Sequence, residues 1–93
     1  MAGNLIHFGI RTKEDIKSYK KAGNKIVLAR IGRILEELEI HPETGIGRPE
    51  KKKHNLSGLW SREIDKKNRM LYQIKENIIT VTVISAIGHY DDK

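Results

Sequence analysis

Residues 78–86 read Ile-Ile-Thr-Val-Thr-Val-Ile-Ser-Ala, and this stretch decides the fold class. Its middle alternates β-branched apolar residues with threonines, which is the two-residue period of a β-strand. Ile79, Val81 and Val83 would share one face of the strand, and Thr80 and Thr82 the other. The alternation predicts a sheet with one face packed on helices and a second face open to a ligand.

Three further strand patterns lie outside this stretch. Leu59–Ile64 and Arg69–Ile74 are joined by the turn-like residues 65–68, and residues 75–77 form a second turn before the last strand. Short turns connect antiparallel neighbours, so these strands predict an antiparallel meander. A short apolar run at Leu5–Phe8 predicts an edge strand and brings the sheet to about four strands.

Two helices are predicted ahead of the meander. Thr12, with an acidic residue three positions later, has the pattern of an N-cap, and Gly23-Asn24 ends the first helix. Apolar residues recur at helical spacing from Lys25 to Ile40, and Pro42 prevents continuation. Helices first and sheet after predict one α+β domain over residues 1–93.

The length and composition exclude several classes of protein. A chain of 93 residues has room for one hydrophobic core, and without cysteine it has no disulfide, thiolate metal site or cysteine nucleophile. Residues 1–7 lack the pattern of a signal peptide, and no stretch approaches the roughly 20 apolar residues that span a bilayer. These features predict a cytoplasmic protein with no membrane association.

The charge of the chain favours a polyanionic partner. Eighteen Lys and Arg against 12 Asp and Glu give a net charge of +6. Many small proteins are basic for solubility alone, but here the basic residues concentrate at 48–54 and 62–69. That distribution favours nucleic acid.

Residues of the types needed to cut RNA without a metal are present. The reaction needs a base for the 2′-hydroxyl, an acid for the leaving 5′-oxygen and fixed positive charge near the phosphate. Glu50 lies among cations in the predicted long loop 41–58, Arg69 opens a strand, and His89-Tyr90 lies near the C-terminus. Each residue taken alone has an ordinary structural explanation, such as a solvated ion pair or a charge at the sheet rim.

Other catalytic patterns are missing from the sequence. It has no phosphate-binding loop, dinucleotide fingerprint, nucleophile elbow or acidic cluster suited to Mg²⁺, and its histidines lack metal-ligand spacing. The remaining possibilities are metal-free chemistry, with no metal or other cofactor, and plain binding.

Four segments carry a resemblance to a known family. They are Pro42-Glu43-Thr44-Gly45-Ile46-Gly47-Arg48-Pro49-Glu50, Lys53-His54-Asn55-Leu56-Ser57-Gly58-Leu59-Trp60-Ser61-Arg62, Asn68-Arg69-Met70-Leu71-Tyr72 and His89-Tyr90. In this order they resemble the Txe/YoeB family of toxin–antitoxin ribonucleases. The match runs from Lys25 to Tyr90, about two-thirds of the chain.

The resemblance implies a fold related to RelE, with two N-terminal helices packed on a mainly antiparallel twisted sheet. It implies a metal-independent endoribonuclease, or mRNA interferase, that cuts messenger RNA in the ribosomal A site by attack of the 2′-hydroxyl on the scissile phosphate. Its partners would be messenger RNA, the ribosome and a cognate antitoxin of the Axe/YefM kind. A homodimer is compatible with the resemblance.

The family's site residues can be matched to this sequence. Glu50 matches the catalytic glutamate, interpreted as the base, and His89 the histidine interpreted as the acid, although the family leaves open which group plays which part. Arg69 matches the arginine that stabilises charge on the phosphate, Lys53 a lysine beside it, and Tyr90 an aromatic that orients or stacks on a base. Further RNA contacts are expected from Lys51, Lys52, His54 and Arg62.

The chain departs from the family pattern at four places. Glu63 stands where a second arginine is common, Asn68 where a histidine is frequent, and Lys51-Lys52 where the family has Pro-Leu. Residues 91–93 extend past the final tyrosine and add two carboxylates. These differences bear on rate and codon preference more than on reaction type.

Two other functions compete with the nuclease. One is a basic module that binds RNA or the ribosome and stalls translation without cleavage. The other is a DNA-binding regulator, which would need a helix-turn-helix partner for the helix at 25–40, and the sequence offers none. The joint presence of the matched residues favours the enzyme.

Overall fold

The computed structural model describes residues 3–53 and 57–84, with the backbone alone at Val83. This part of the chain contains two helices and five strands in the order expected for the α+β class. The helices are α1 (Ile10–Lys21) and α2 (Lys25–Leu38). The strands are β1 (Leu5–Phe8), β2 (Glu50–Lys51), β3 (Leu59–Glu63), β4 (Arg69–Lys75) and β5 (Ile78–Val83).

The strands form one mixed sheet in the order β1-β5-β4-β3-β2. The three strands β3, β4 and β5 are the predicted antiparallel meander, and β1 joins β5 in parallel. The predicted fold class is therefore confirmed, with five strands in place of about four. The extra strand is β2, which lies inside the stretch predicted to be a loop and pairs antiparallel with β3.

The core lies between α2 and one face of the sheet. Val27, Ile31, Ile34 and Leu38 recur along α2 at helical spacing and are buried, as predicted. They belong to one cluster with sheet residues that project towards the helices, namely Met70, Tyr72, Ile79 and Val81. We call this side of the sheet the helix face and the opposite side, which carries Arg69, Leu71, Gln73 and Thr80, the outer face.

The outer face was predicted to be open, and this is only partly correct. Arg69 and Gln73 are exposed. Leu71 is only 3% exposed, however, and Ser61, directly opposite it on β3, is fully buried. The outer face is therefore closed at its centre and accessible towards the ends of β4.

Helix α1 begins three residues earlier than predicted, because Thr12 is not its N-cap. Gly9 occupies that position, and the hydroxyl of the buried Thr12 donates to the carbonyl of Val81 at 2.6 Å. The Asp15 carboxylate accepts from the amide of Ile84 at 3.2 Å. The pair that was interpreted as a capping pattern instead fastens α1 to the end of β5.

Helix α2 has a side-chain cap and a defined end. The Asn24 side chain accepts from the amide of Val27 at 3.3 Å, which satisfies one of the free N–H groups of the first turn. The helix ends at Leu38, two residues before the predicted Ile40, which is 77% exposed. Within the described residues, neither helix is long and apolar enough to cross a membrane.

Removing the cap should weaken the whole domain, since α2 supplies the helical side of the core. We expect Asn24→Ala to lower the free energy of unfolding by about 1 kcal/mol, measured by urea denaturation. Asn24→Asp keeps an acceptor at the same place and should stay close to the wild-type chain. An alanine variant as stable as the wild type would show that the cap contributes nothing.

Candidate active site

Glu50 lies on the edge strand β2, where its backbone is paired with β3. The register places Glu50 opposite Ser61 and Lys51 opposite Trp60. Directly opposite residues in an antiparallel pair project to the same side, so Glu50 shares the outer face with Ser61. Its side chain is exposed. The candidate base is therefore held on the sheet by β-pairing and is accessible to a ligand.

Arg69 lies on the same face as Glu50. It begins β4 directly opposite Glu63 of β3, and Glu63 is two residues from Ser61. Two strand spacings of about 4.8 Å and two residue steps of about 3.4 Å put the Cα atoms of Glu50 and Arg69 roughly 12 Å apart. Side chains as long as glutamate and arginine can reach a common phosphodiester across that distance.

The turn before Arg69 is fixed by Asp65 and Asn68. One Asp65 carboxylate oxygen accepts from the amides of Lys67 at 2.8 Å and Asn68 at 2.6 Å. The Tyr19 hydroxyl of α1 donates to the Asn68 side-chain oxygen. Burial would raise the pKa of Asp65, but the hydrogen bonds from Asn68 and Lys67 outweigh it and hold the pKa below its ordinary value. Asn68 thus ties the start of β4 to α1.

The lysines beside Glu50 do not all lie on its face of the sheet. Lys51 projects to the opposite side, since it alternates with Glu50 along β2. Lys51 and Lys52 line a cleft of about 440 Å³ that is also lined by Trp60 and Ile74. Lys53 is exposed, and Trp60 is partly buried against the core. His54, His89 and Tyr90 lie outside the described residues.

The prediction that Arg62 contacts RNA is wrong. Its side chain is fully buried on the helix face and pairs with the Glu37 carboxylate at 2.5 Å. A guanidinium without accessible surface cannot bind a phosphate. Sequence reasoning placed Arg62 outside because charged residues are seldom buried unless they are paired, and its partner lies 25 positions away in sequence.

Glu37 was missed by the sequence analysis. Its side chain is only 16% exposed and accepts from the amide of Ile46 at 3.0 Å as well as from Arg62. Burial would raise the pKa of Glu37, but the bond from Ile46 and the Arg62 guanidinium outweigh it and lower the pKa. The sequence offered one sign of this burial. Glu37 is three residues after the buried Ile34, so the two lie on the same side of α2.

The described residues contain no group of three His, Asp or Glu side chains that could hold a metal ion. Glu50 and Arg69 instead provide an accessible carboxylate and an accessible cation on one surface. Such a pair can remove a proton and offset negative charge that develops nearby.

Comparison with known proteins identifies the family of this chain. A family model described as a YoeB-like toxin of a bacterial type II toxin–antitoxin system matches residues 8–90. The toxin YoeB of Mycobacterium bovis is 38% identical over 85 residues, which cover 91% of this chain and 96% of that protein. The toxin YoeB of Synechocystis is 39% identical over 67 residues, or 72% of this chain and 76% of that protein.

Solved structures agree in fold. A YoeB–YefM complex from Staphylococcus aureus contains a chain with TM-score 0.80 and 32% identity, covering 94% of this chain and 98% of that one. A YoeB dimer from the same species gives TM-score 0.82 and 31% identity, covering 96% and 100%. A YoeB/ParE toxin from Agrobacterium tumefaciens, at TM-score 0.80 and 19% identity, shows the shared fold alone.

The helix-on-sheet fold and these relatives define a toxin of a bacterial type II toxin–antitoxin system. Within that class, the chain belongs to the YoeB family. The resemblance drawn from the motifs is thereby confirmed.

The two carboxylates with lowered pKa make the fold sensitive to acid. Both bind protons more weakly in the folded than in the unfolded chain, so their stabilisation is complete above the unfolded pKa and is lost as pH falls through the folded pKa. We therefore expect the free energy of unfolding to decrease as the pH is lowered below about 4.

Urea denaturation between about pH 3 and pH 7 would measure this dependence. Glu37→Gln and Asp65→Asn should each flatten it, whereas Glu36→Gln, which changes an exposed residue of the same helix, should retain it. If the free energy of unfolding depends equally steeply on pH in all three variants, Glu37 and Asp65 are not the source of the acid sensitivity.

Proposed function

We propose that this toxin is a metal-independent endoribonuclease that cleaves messenger RNA in the ribosomal A site and so inhibits translation in the cytoplasm. The observation that carries the proposal is the placement of Glu50 and Arg69, both exposed, on one face of the sheet. Membership of the YoeB family and the net charge of +6 support the same conclusion.

The reaction assigned to the site is transfer of the phosphate to the 2′-oxygen. Glu50 takes the proton of the 2′-hydroxyl, the 2′-oxygen forms a bond to phosphorus, and the bond from phosphorus to the 5′-oxygen breaks. The leaving 5′-oxygen takes a proton from His89. The products are a 2′,3′-cyclic phosphate and a free 5′-hydroxyl, and later attack by water can open the cyclic phosphate.

Cations and an aromatic ring complete the proposed site. Arg69 can donate two parallel N–H groups to the phosphoryl oxygens, which a lysine cannot do. Lys53 and His54 follow β2 closely in sequence and would contact the RNA backbone, to which Lys53 adds positive charge. Tyr90 would stack on or orient a base. The roles of His89, Tyr90 and His54 rest on the family resemblance.

The lysines at the cleft extend the proposed RNA contact beyond the outer face. Lys51 lies beside Trp60 at the sheet edge, on the other side of β2 from Glu50, and Lys52 lines the same cleft. A strand of RNA that crosses the β2 edge would meet the carboxylate on one side and Lys51 on the other. Positive charge at such positions raises affinity without selecting sequence.

Protein partners are proposed from the relatives. In Staphylococcus aureus, YoeB forms a complex with YefM, and a YoeB dimer has also been solved. We infer that this chain likewise binds a cognate antitoxin of the YefM kind and can dimerise.

Replacing Glu50 tests the nuclease directly. Glu50→Gln keeps the size of the side chain but removes the base, so mRNA cleavage in a purified bacterial translation system should fall by about 10²–10⁴-fold. Binding to ribosomes, measured by co-sedimentation, should persist because the basic residues are unchanged. Glu43→Gln is the matched control, since it neutralises an exposed glutamate in the preceding loop.

The cleavage positions, mapped by primer extension, would distinguish the two remaining functions. Cuts in the A-site codon that disappear with Glu50→Gln and persist with Glu43→Gln support the nuclease. If the wild-type chain binds ribosomes and stalls them with the mRNA intact, the protein is a binding module and the nuclease proposal fails.

Glu63 gives a second test, because it stands directly opposite Arg69 on the outer face. A carboxylate there competes with the RNA phosphate for the arginine and repels the phosphate itself. We expect Glu63→Gln to raise kcat/KM for cleavage on the order of threefold, with a smaller gain at high salt.

Glu36→Gln makes the same change of net charge on α2, away from the outer face, and serves as the control. An equal gain in both variants would mean that only net charge matters. No gain in Glu63→Gln would mean that Glu63 does not restrain Arg69.

A further inference from the structure

The loop between α2 and β2 is organised by one buried side chain. Arg62 projects from β3 into this loop, and its guanidinium meets five acceptors. They are the Tyr72 hydroxyl at 3.2 Å, the Glu37 carboxylate at 2.5 Å, and the carbonyls of Ile46 at 3.3 Å, His41 at 2.9 Å and Thr44 at 2.7 Å. A guanidinium has five N–H groups, and Nε takes one acceptor while each Nη takes two, so every donor is used.

Tyr72 and Glu37 hold the same loop by separate bonds. The Tyr72 hydroxyl donates to the carbonyl of Pro42 at 2.7 Å, and the Glu37 carboxylate accepts from the amide of Ile46 at 3.0 Å. Three side chains therefore fix four carbonyls and one amide between residues 41 and 46. Because this segment belongs to neither a helix nor a strand, these bonds define its course.

The loop also passes too close to the Glu37 carboxylate for position 45 to hold a residue larger than glycine. A Cβ on Gly45 would lie 2.0 Å from the Glu37 carboxylate oxygen, and the φ angle of Gly45 is +128°. Immediately afterwards, the carbonyl of Gly47 accepts from the amide of Glu63 at 2.7 Å, so the loop joins the sheet there. Glu50 follows after only two more residues, one of which is Pro49 with its fixed φ.

If residues 41–46 were displaced, β2 would therefore move with them. We propose that Arg62, together with Glu37 and Tyr72, positions the carboxylate of Glu50 for the reaction, although none of the three lies on its face of the sheet. This inference rests on the proposed nuclease function. Buried ion pairs add little net stability compared with apolar residues, so a defined geometry is the property that this network supplies best.

Arg62→Lys tests the proposal, because it keeps the charge but has three donors on one nitrogen and cannot reach five acceptors. We expect the cleavage rate per folded molecule to fall about tenfold or more, since small displacements of a catalytic group cost up to about 10²-fold. The folded fraction is measured by NMR from amides of the β4–β5 ladder. Arg33→Lys is the matched control, since Arg33 is 66% exposed and approaches the same Glu37 carboxylate from outside at 3.9 Å.

A readout that does not depend on cleavage is amide hydrogen exchange. In Arg62→Lys, the amides of Ile46 and Glu63 should exchange faster while those of the β4–β5 ladder stay protected. Tyr72→Phe is a milder variant that removes only the hydroxyl bridging Arg62 and Pro42. It should increase loop exchange in the same way but by less, and it provides the test if Arg62→Lys does not fold.

The outcomes separate this inference from the proposed function. Faster loop exchange with a lower cleavage rate per folded molecule, in Arg62→Lys or in Tyr72→Phe, supports positioning. Unchanged loop exchange, or a cleavage rate per folded molecule equal to that of Arg33→Lys, overturns it. If the wild-type chain does not cleave mRNA at all, the proposed function fails, and with it the role for Glu50, while the exchange data still decide whether Arg62 fixes the loop.

Discussion

A guanidinium can be withdrawn from water only where each of its N–H groups finds an acceptor, and this constraint shapes the region between α2 and β3. Arg62 meets it with two side chains and three backbone carbonyls. The carbonyls all come from one short loop, so the path of that loop follows from satisfying a single residue. Gly45 is required on that path because any larger residue would overlap the Glu37 carboxylate.

The side chains of strand β3 alternate between the two faces of the sheet, so the strand contributes both to the core side and to the candidate site. Arg62 projects to the helix face and takes part in packing, while its neighbours Ser61 and Glu63 project to the outer face. The flanking strands then bring Glu50 from one side and Arg69 from the other. Because the period of a strand is two, a slip of one residue in β3 would exchange the faces and destroy both arrangements. Pairing on both sides of β3 prevents such a slip.

The regular elements could be predicted because their residues repeat with the period of the structure, as along α2 and β5. Strand β2 could not, since it consists of two charged residues without apolar alternation. The hydroxyl of Thr12 could cap a helix or bond to a strand 69 positions away, and only tertiary structure decides between them. Motifs identified Glu50 and Arg69, but their common face followed from a register that the sequence does not give. Arg62 was misassigned because pairing overrode the usual exposure of arginine.

Strand β2 has a consequence for how the protein can open and change. It is two residues long and lies at the edge of the described sheet, so few ladder bonds hold it. Local opening there costs far less free energy than opening the seven-residue β4 against β5. The hydrophobic core lies in other elements. Substitutions around β2 can therefore be accepted with little loss of folded protein.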